Sequence, residues 1–156
     1  MMATQGFNNH MRLLVTGGRH FDEAALVYDV LSQLHKHYAI GALIHGGAKG
    51  VNNHGGAKGV DNHAGQWASL HGVHQIIFLP DWKRHGLMAG HDRNTRMLTE
   101  GKPDACIAFP GGKGTADMAR KAKTYGLPVW KPFSPKSKPP FEGFTLCTRH
   151  VIRYAT

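Results

Sequence analysis

Strand-like and helix-like segments alternate along this chain, and the alternation predicts an α/β fold: a Rossmann-like, doubly wound, mostly parallel sheet with flanking helices and a short C-terminal extension. Two further observations carry the prediction. The strand-like runs are short and apolar throughout, as strands covered on both faces must be. Three of them end in glycine turns: Gly17-Gly18-Arg19, Gly46-Gly47-Ala48-Lys49-Gly50 and Pro110-Gly111-Gly112-Lys113-Gly114-Thr115. In an open parallel sheet such turns gather at the carboxyl ends of the strands, where ligands bind.

The first strand is Leu13-Leu14-Val15-Thr16. Leu26, Val27, Val30, Leu31 and Leu34 then recur at helical spacing to about His37, with Asp22 and Glu23 placed to favour the positive helix N-terminus. Ala42-Leu43-Ile44-His45 forms the second strand, followed by a helix over 60–71 that turns Ala64, Trp67, Ala68 and Leu70 inward. Gln75-Ile76-Ile77-Phe78-Leu79 is the third strand, closed by Pro80. A polar connection containing Trp82 leads to a helix over 92–99 and then to the strand over 105–109. The helix behind Thr115 buries Met118, Ala119 and Ala122, ends near Gly126 and delivers Pro128-Val129-Trp130 as a fifth strand. Residues 1–130 thus read as one ligand-binding domain. The segment 131–143, rich in Pro, Lys and Ser, reads as a linker to a hairpin of 144–146 with 151–154.

A chain of 156 residues buries a core without disulfide support, and its two cysteines are read as reduced thiols, Cys106 in a strand and Cys147 in the tail. No apolar run reaches membrane-spanning length and residues 1–11 lack the apolar centre of a signal peptide, so a cytoplasmic protein with no membrane partner is expected. The net charge of +9 is uneven, with +7 of it falling in residues 111–156. Such a field attracts nucleic acid and small phosphorylated ligands alike. Twelve histidines raise a metal site, but His35 and His37 point different ways on a helix and no HExxH or Cys/His cluster occurs; neither metal nor cofactor is expected.

The 110–115 turn has the parts of an anion site. Its glycines let the backbone approach a phosphate, the helix behind it offers unpaired N–H groups, Thr115 is placed to cap the helix or donate its hydroxyl, and Lys113 is a charge partner. Neither a Walker A motif nor GxGxxG with an acidic partner is present. The bland alternative is a tight strand-to-helix turn without ligand, which three turns of one grammar make the weaker reading. Residues 46–54 are also followed at once by a copy, 55–63, identical except for Asn52 against Asp61. A period of nine seen twice is too short for a solenoid and reads as a tandem duplication that lengthened one turn, or as a second anion cradle.

The set of His45 to Gly50, Asp61 with Ala64 and Trp67-Ala68, Pro80-Asp81-Trp82, Arg93-Asn94 with Met97-Leu98, and the 110–115 turn resembles the SLOG superfamily, within it the YspA/cpYpsA-related branch, over residues 11–130. The resemblance implies a Rossmann-like sheet that binds nucleotides or nucleotide-derived ligands, with possible assembly into a homo-oligomer. Among LOG phosphoribohydrolases of the same superfamily, a PGGxGTxxE motif binds phosphate and supplies a catalytic glutamate. Here Met118 stands at that position and Asp117 precedes it, about 100° away on the helix, which leaves Asp117 and Arg93 as the catalytic candidates. Arg93 falls on the helix that in LOG proteins carries a ligand-binding arginine, with Asn94, Asp92 and His91 beside it; the alternative for Arg93 is a surface ion pair. Trp82 either stacks on a base or packs a loop, and Asp61 either caps the second helix or touches a ribose.

The expected site therefore has Gly17, Gly18 and Arg19 on one side, Gly46 and Gly47 at the second turn, Arg93 and Asn94 opposite, and Pro110, Gly111, Gly112, Lys113, Gly114 and Thr115 on the phosphate. The function expected is binding of a nucleotide or nucleotide-derived ligand, to sense, sequester or process it. The alternatives are an N-glycosidase of nucleoside monophosphates or NAD-like substrates, and DprA-like nucleic-acid binding through the basic tail with Phe133, Phe141, Phe144 and Tyr154 interleaved.

Overall fold

The structure, a computed structural model, describes residues 10–48, 50, 51 and 57–134. The chain runs β1 (Met11–Thr16), α1 (Ala24–Tyr38), β2 (Ile40–His45), β3 (Gly50–Val51), β4 (Ala57–Lys58), α2 (Val60–Leu70), β5 (His74–Ile77), α3 (Trp82–His85), a 3-10 turn (Gly86–Met88), α4 (Ala89–Thr99), β6 (Ala105–Ala108), α5 (Lys113–Thr124) and β7 (Val129–Trp130). Five strands form one sheet in the order β5-β2-β1-β6-β7, and every pairing in it is parallel.

Alternation along the central strands divides the core in two. Leu13 and Val15 of β1, Leu43 of β2 and Ala105 and Ile107 of β6 face one side, where Val27, Val30, Leu31 and Leu34 of α1 and Ala64, Trp67 and Ala68 of α2 cover them. Leu14, Ile44 and Cys106 face the other, under Met97 and Leu98 of α4 and Met118 and Ala122 of α5. The Trp67 indole N–H donates to Ser32 Oγ at 2.9 Å, fixing α2 to α1 with its one polar atom satisfied. Burial pushes the Cys106 thiol up to about 12, which leaves it an inert core residue.

Several expectations need correction. Leu70 is exposed, because the inward stripe of α2 ends with Ala68. The third strand starts at His74 and ends at Ile77; Phe78 turns into the core while Leu79 is exposed. The helix expected over 92–99 begins at Ala89, since the 3-10 turn feeds it directly. Phe133, taken with the basic tail, is instead a core residue packed on Phe109 with ring centroids 6.1 Å apart. The rest of the tail, Cys147 and the proposed hairpin included, lies outside the described residues. Among those described, no helix is long and apolar enough to cross a membrane.

The strand order sets the site. From β1 the chain moves outward to β2 and β5, then returns past them to place β6 on the other side of β1. That reversal opens a crevice at the carboxyl ends of β1 and β6.

Candidate functional site

Two glycine turns meet in this crevice because their backbones touch. Gly18 N–H donates to Pro110 O at 2.9 Å, Phe109 N–H to Thr16 O at 2.9 Å, and Val60 N–H to Gly18 O at 3.1 Å, which ties the turn after β1 to the turn after β6 and to the start of α2. Contact this close excludes side chains: a Cβ at Gly17 would strike Val60, and one at Gly111 would strike Thr115 and the Gly18 N–H. Gly112 and Gly114 differ. A Cβ at either meets no atom within 4 Å, and neither needs a left-handed backbone.

Beside these turns lies a cavity of about 550 Å³, lined by Thr16 to Phe21, Ala48, Asp61, Arg93, Asn94, Met97 and residues 110–115. Eleven of the thirteen residues expected at the site line it. Gly46 and Gly47 do not: the Gly46 carbonyl is turned to Arg93 at 2.8 Å, and Gly47 lines a separate, smaller recess. The glycine turn after β2 contributes Ala48 instead, the position its neighbours made least conspicuous.

The helix α5 opens into the cavity without a side-chain cap. Its N-cap is Gly112, and the first backbone bond is Ala116 N–H to Gly112 O at 3.0 Å, so the N–H groups of Lys113, Gly114 and Thr115 have no helical acceptor. Thr115 therefore does not cap the helix; it is the third helical residue. Free N–H groups and the helix dipole make this rim positive, and Lys113 adds its charge.

The opposite wall is Arg93. Its Nη1 donates to Gly46 O and Phe78 O at 2.8 and 3.3 Å and its Nε to Asn94 Oδ1 at 3.0 Å, so the guanidinium is held between β2, β5 and α4. It is no surface ion pair, for no carboxylate of the described residues lies within salt-bridge distance of it. Burial lowers its pKa, Asp61 opposes the drop and Arg19 adds to it. Asn94 is buried with both ends of its amide in use, since Nδ2 donates to Gly114 O at 3.2 Å and Asp117 Oδ2 at 3.0 Å.

Asp61 is the residue that sequence reasoning undervalued. It is the second residue of α2 and no cap; the N-cap is Gly59. Its buried carboxylate accepts from Ala48 N–H at 3.1 Å through Oδ2, while Oδ1 has no well-aligned partner and the Gly46 N–H only helps hold the charge. Burial raises its pKa against the pull of His45 and Arg93. His45 accepts from Gly47 N–H at Nδ1 (3.1 Å), so its Nε2 carries the proton and donates to Gln75 Oε1 at 2.9 Å. This fixes the turn that carries Ala48.

The remaining candidates lie outside. Met118 is fully buried in the core under α5. Asp117, buried behind the same helix, is held by His91, Arg120, Lys121 and Asn94; burial alone would raise its pKa, but the bonds from Asn94, Lys121 and His91 bring it below the ordinary carboxylate value. Neither lines the cavity. His91 serves Asp117 and Asp92 pairs with His85, and of the polar neighbours of Arg93 only Asn94 lines the crevice. Trp82 is exposed at the start of α3 and lines no part of it.

Fold and site together define a Rossmann-like α/β protein with a basic, glycine-walled crevice at the switch point of its sheet. The sequence pattern of the YspA, cpYpsA-related SLOG family matches residues 11–54 and 53–85. A relative, the Gene 61 protein of Mycobacterium phage D29, is 36% identical over 121 residues, covering 76% of this chain and 93% of its own. The chain belongs to this family, whose functions are nucleotide-related in general. The two matched stretches meet where the first nine-residue copy ends and the second begins, as they would if one copy interrupted the pattern. Among solved structures, a UDP-N-acetylglucosamine 2-epimerase is similar with a TM-score of 0.47 and 13% identity over 92% of this chain, which spans 39% of that enzyme's; no functional statement follows from it.

Proposed function

We propose that this protein binds a nucleotide or nucleotide-derived ligand, with a ligand phosphate seated on the 110–115 turn, and that it senses or sequesters that ligand. One observation carries the reading. Gly114 is an ordinary helical residue with open space where a Cβ would stand, so nothing inside the protein calls for glycine there, and Gly112 before it has the same open space. A ligand that packs against the bare backbone and takes the free N–H groups of α5 supplies the missing reason. The family and the place of the cavity at the sheet's switch point support the same reading. Cleavage of the ligand finds no such support, because Met118 is core and Asp117 is held among its partners behind α5.

The test is Gly112→Val. A Cβ there meets no atom within 4 Å, and circular dichroism establishes that the variant is folded before binding is measured. Titration calorimetry with a panel of nucleoside mono- and diphosphates should show binding to wild type and none to the variant. Equal affinity in a folded Gly112→Val protein would overturn the assignment.

A further inference from the structure

The phosphate turn and Arg93 are joined by a single side chain. Asn94 grips Gly114 O of the turn with Nδ2 and Arg93 Nε with Oδ1, so a guanidinium and the N-terminus of α5 stand one amide apart on the wall of one cavity. Arg93 has its Nε and Nη1 fixed by protein acceptors, while Nη2 donates to no described residue. Asp61, on the same cavity wall, attracts it without a direct ion pair, and Arg19, which also lines the cavity, opposes it more weakly. The cavity thus carries two guanidinium groups for one carboxylate, and the fold keeps one of them in place with three hydrogen bonds. An anion between the two arginines balances the remaining positive charge, and a guanidinium with an unused N–H face is the group best shaped to take it.

We propose that Arg93 and Arg19 form a second anion position beside the phosphate turn, so that the ligand selected carries two adjoining phosphate groups. This rests on the reading of the 110–115 turn as the first phosphate site. The volume of about 550 Å³ is in the range of small-ligand sites and leaves room for the group that carries the diphosphate. The arrangement also assigns Asn94 a positioning role: it sets the spacing between the two anion positions and touches neither phosphate.

The experiment compares ADP with AMP, and inorganic pyrophosphate with phosphate, by calorimetry on the full chain. Wild type should favour the diphosphate of each pair by about tenfold or more. Arg19→Gln, at an exposed residue, and Arg93→Lys, which keeps the charge and loses the fork, should each cut that ratio to about threefold or less. If Arg93→Lys fails to fold, Arg19→Gln decides alone. A wild-type ratio near one, or a ratio untouched by Arg19→Gln, overturns the second anion position; AMP binding that is lost in Gly112→Val would still uphold the phosphate turn. If none of the four compounds binds, both readings fall.

Discussion

Gly114→Ala separates what the fold wants from what the ligand wants, because the two effects have opposite signs. Gly114 is the second residue of α5, where alanine is favoured over glycine by about 0.5–1 kcal/mol through the smaller entropy it loses on folding. The added methyl meets no protein atom within 4 Å, so no clash offsets the gain. For a domain of this size the melting temperature should rise by about 1–4 °C. The same methyl stands at the cavity wall, where a phosphate oxygen would approach the first turn of the helix. Losing one charge-assisted hydrogen bond there is worth about 1.5–3 kcal/mol, or roughly 10- to 150-fold in affinity. Differential scanning fluorimetry and calorimetry on one preparation read both. A variant that melts higher and binds nucleotide as well as wild type does would refute the reasoning, for it would mean that no ligand atom comes near Gly114.

Other expectations follow from the same geometry. Removing residues 46–54 or residues 49–57 gives one and the same chain; since Ala48 N–H already touches Asp61, the cut shortens a loop of 13 residues between contacting points to 4, for a stability gain of about 1 kcal/mol and unchanged nucleotide binding. A melting point several degrees lower, or lost binding, would make the extra copy a working part of the site. Wild-type protein should release no free base from AMP when the products are followed by chromatography, and Met118→Glu should unfold the protein and create no activity, because it buries an unpaired carboxylate in the core. Asp117→Asn should lose about 1–3 kcal/mol at neutral pH through weakened bonds to its partners. As the folded-state pKa of Asp117 is lowered, its contribution is complete above the ordinary carboxylate pKa of about 3.9 and disappears as pH falls through the folded value. Acid unfolding of the two proteins should therefore converge below that pH, and a constant gap would refute the assignment.

The fold was legible because its signals are local. Unbroken apolar runs such as Leu13-Leu14-Val15 and helical stripes such as Val27, Val30, Leu31 and Leu34 are set by burial within each element. The turns after β1 and β6 were legible for a similar reason, since Gly18 and Gly111 stand where two backbones cross and Gly17 stands against the side chain of Val60. What escaped depends on which elements the sheet order brings together. Asp61 reaches back 13 residues to Ala48, across the duplicated segment, and its place at the start of a helix made it look like a cap. Asp117 seemed a candidate acid until α4 supplied Asn94 and His91. Thr115 has the residue type of a cap but stands three places too late, because Gly112 already starts the helix.

Asn94 also constrains how this protein can change over evolutionary time. Aspartate there would put a second acid against Asp117 and against the Gly114 carbonyl; leucine would strand Arg93 Nε, Gly114 O and Asp117 together; glutamine would carry its amide one methylene past all three. None of these three exchanges keeps every bond that Asn94 makes. Position 94 therefore ties the tolerance for change at 93 to that at 117, although 23 residues separate 94 from 117.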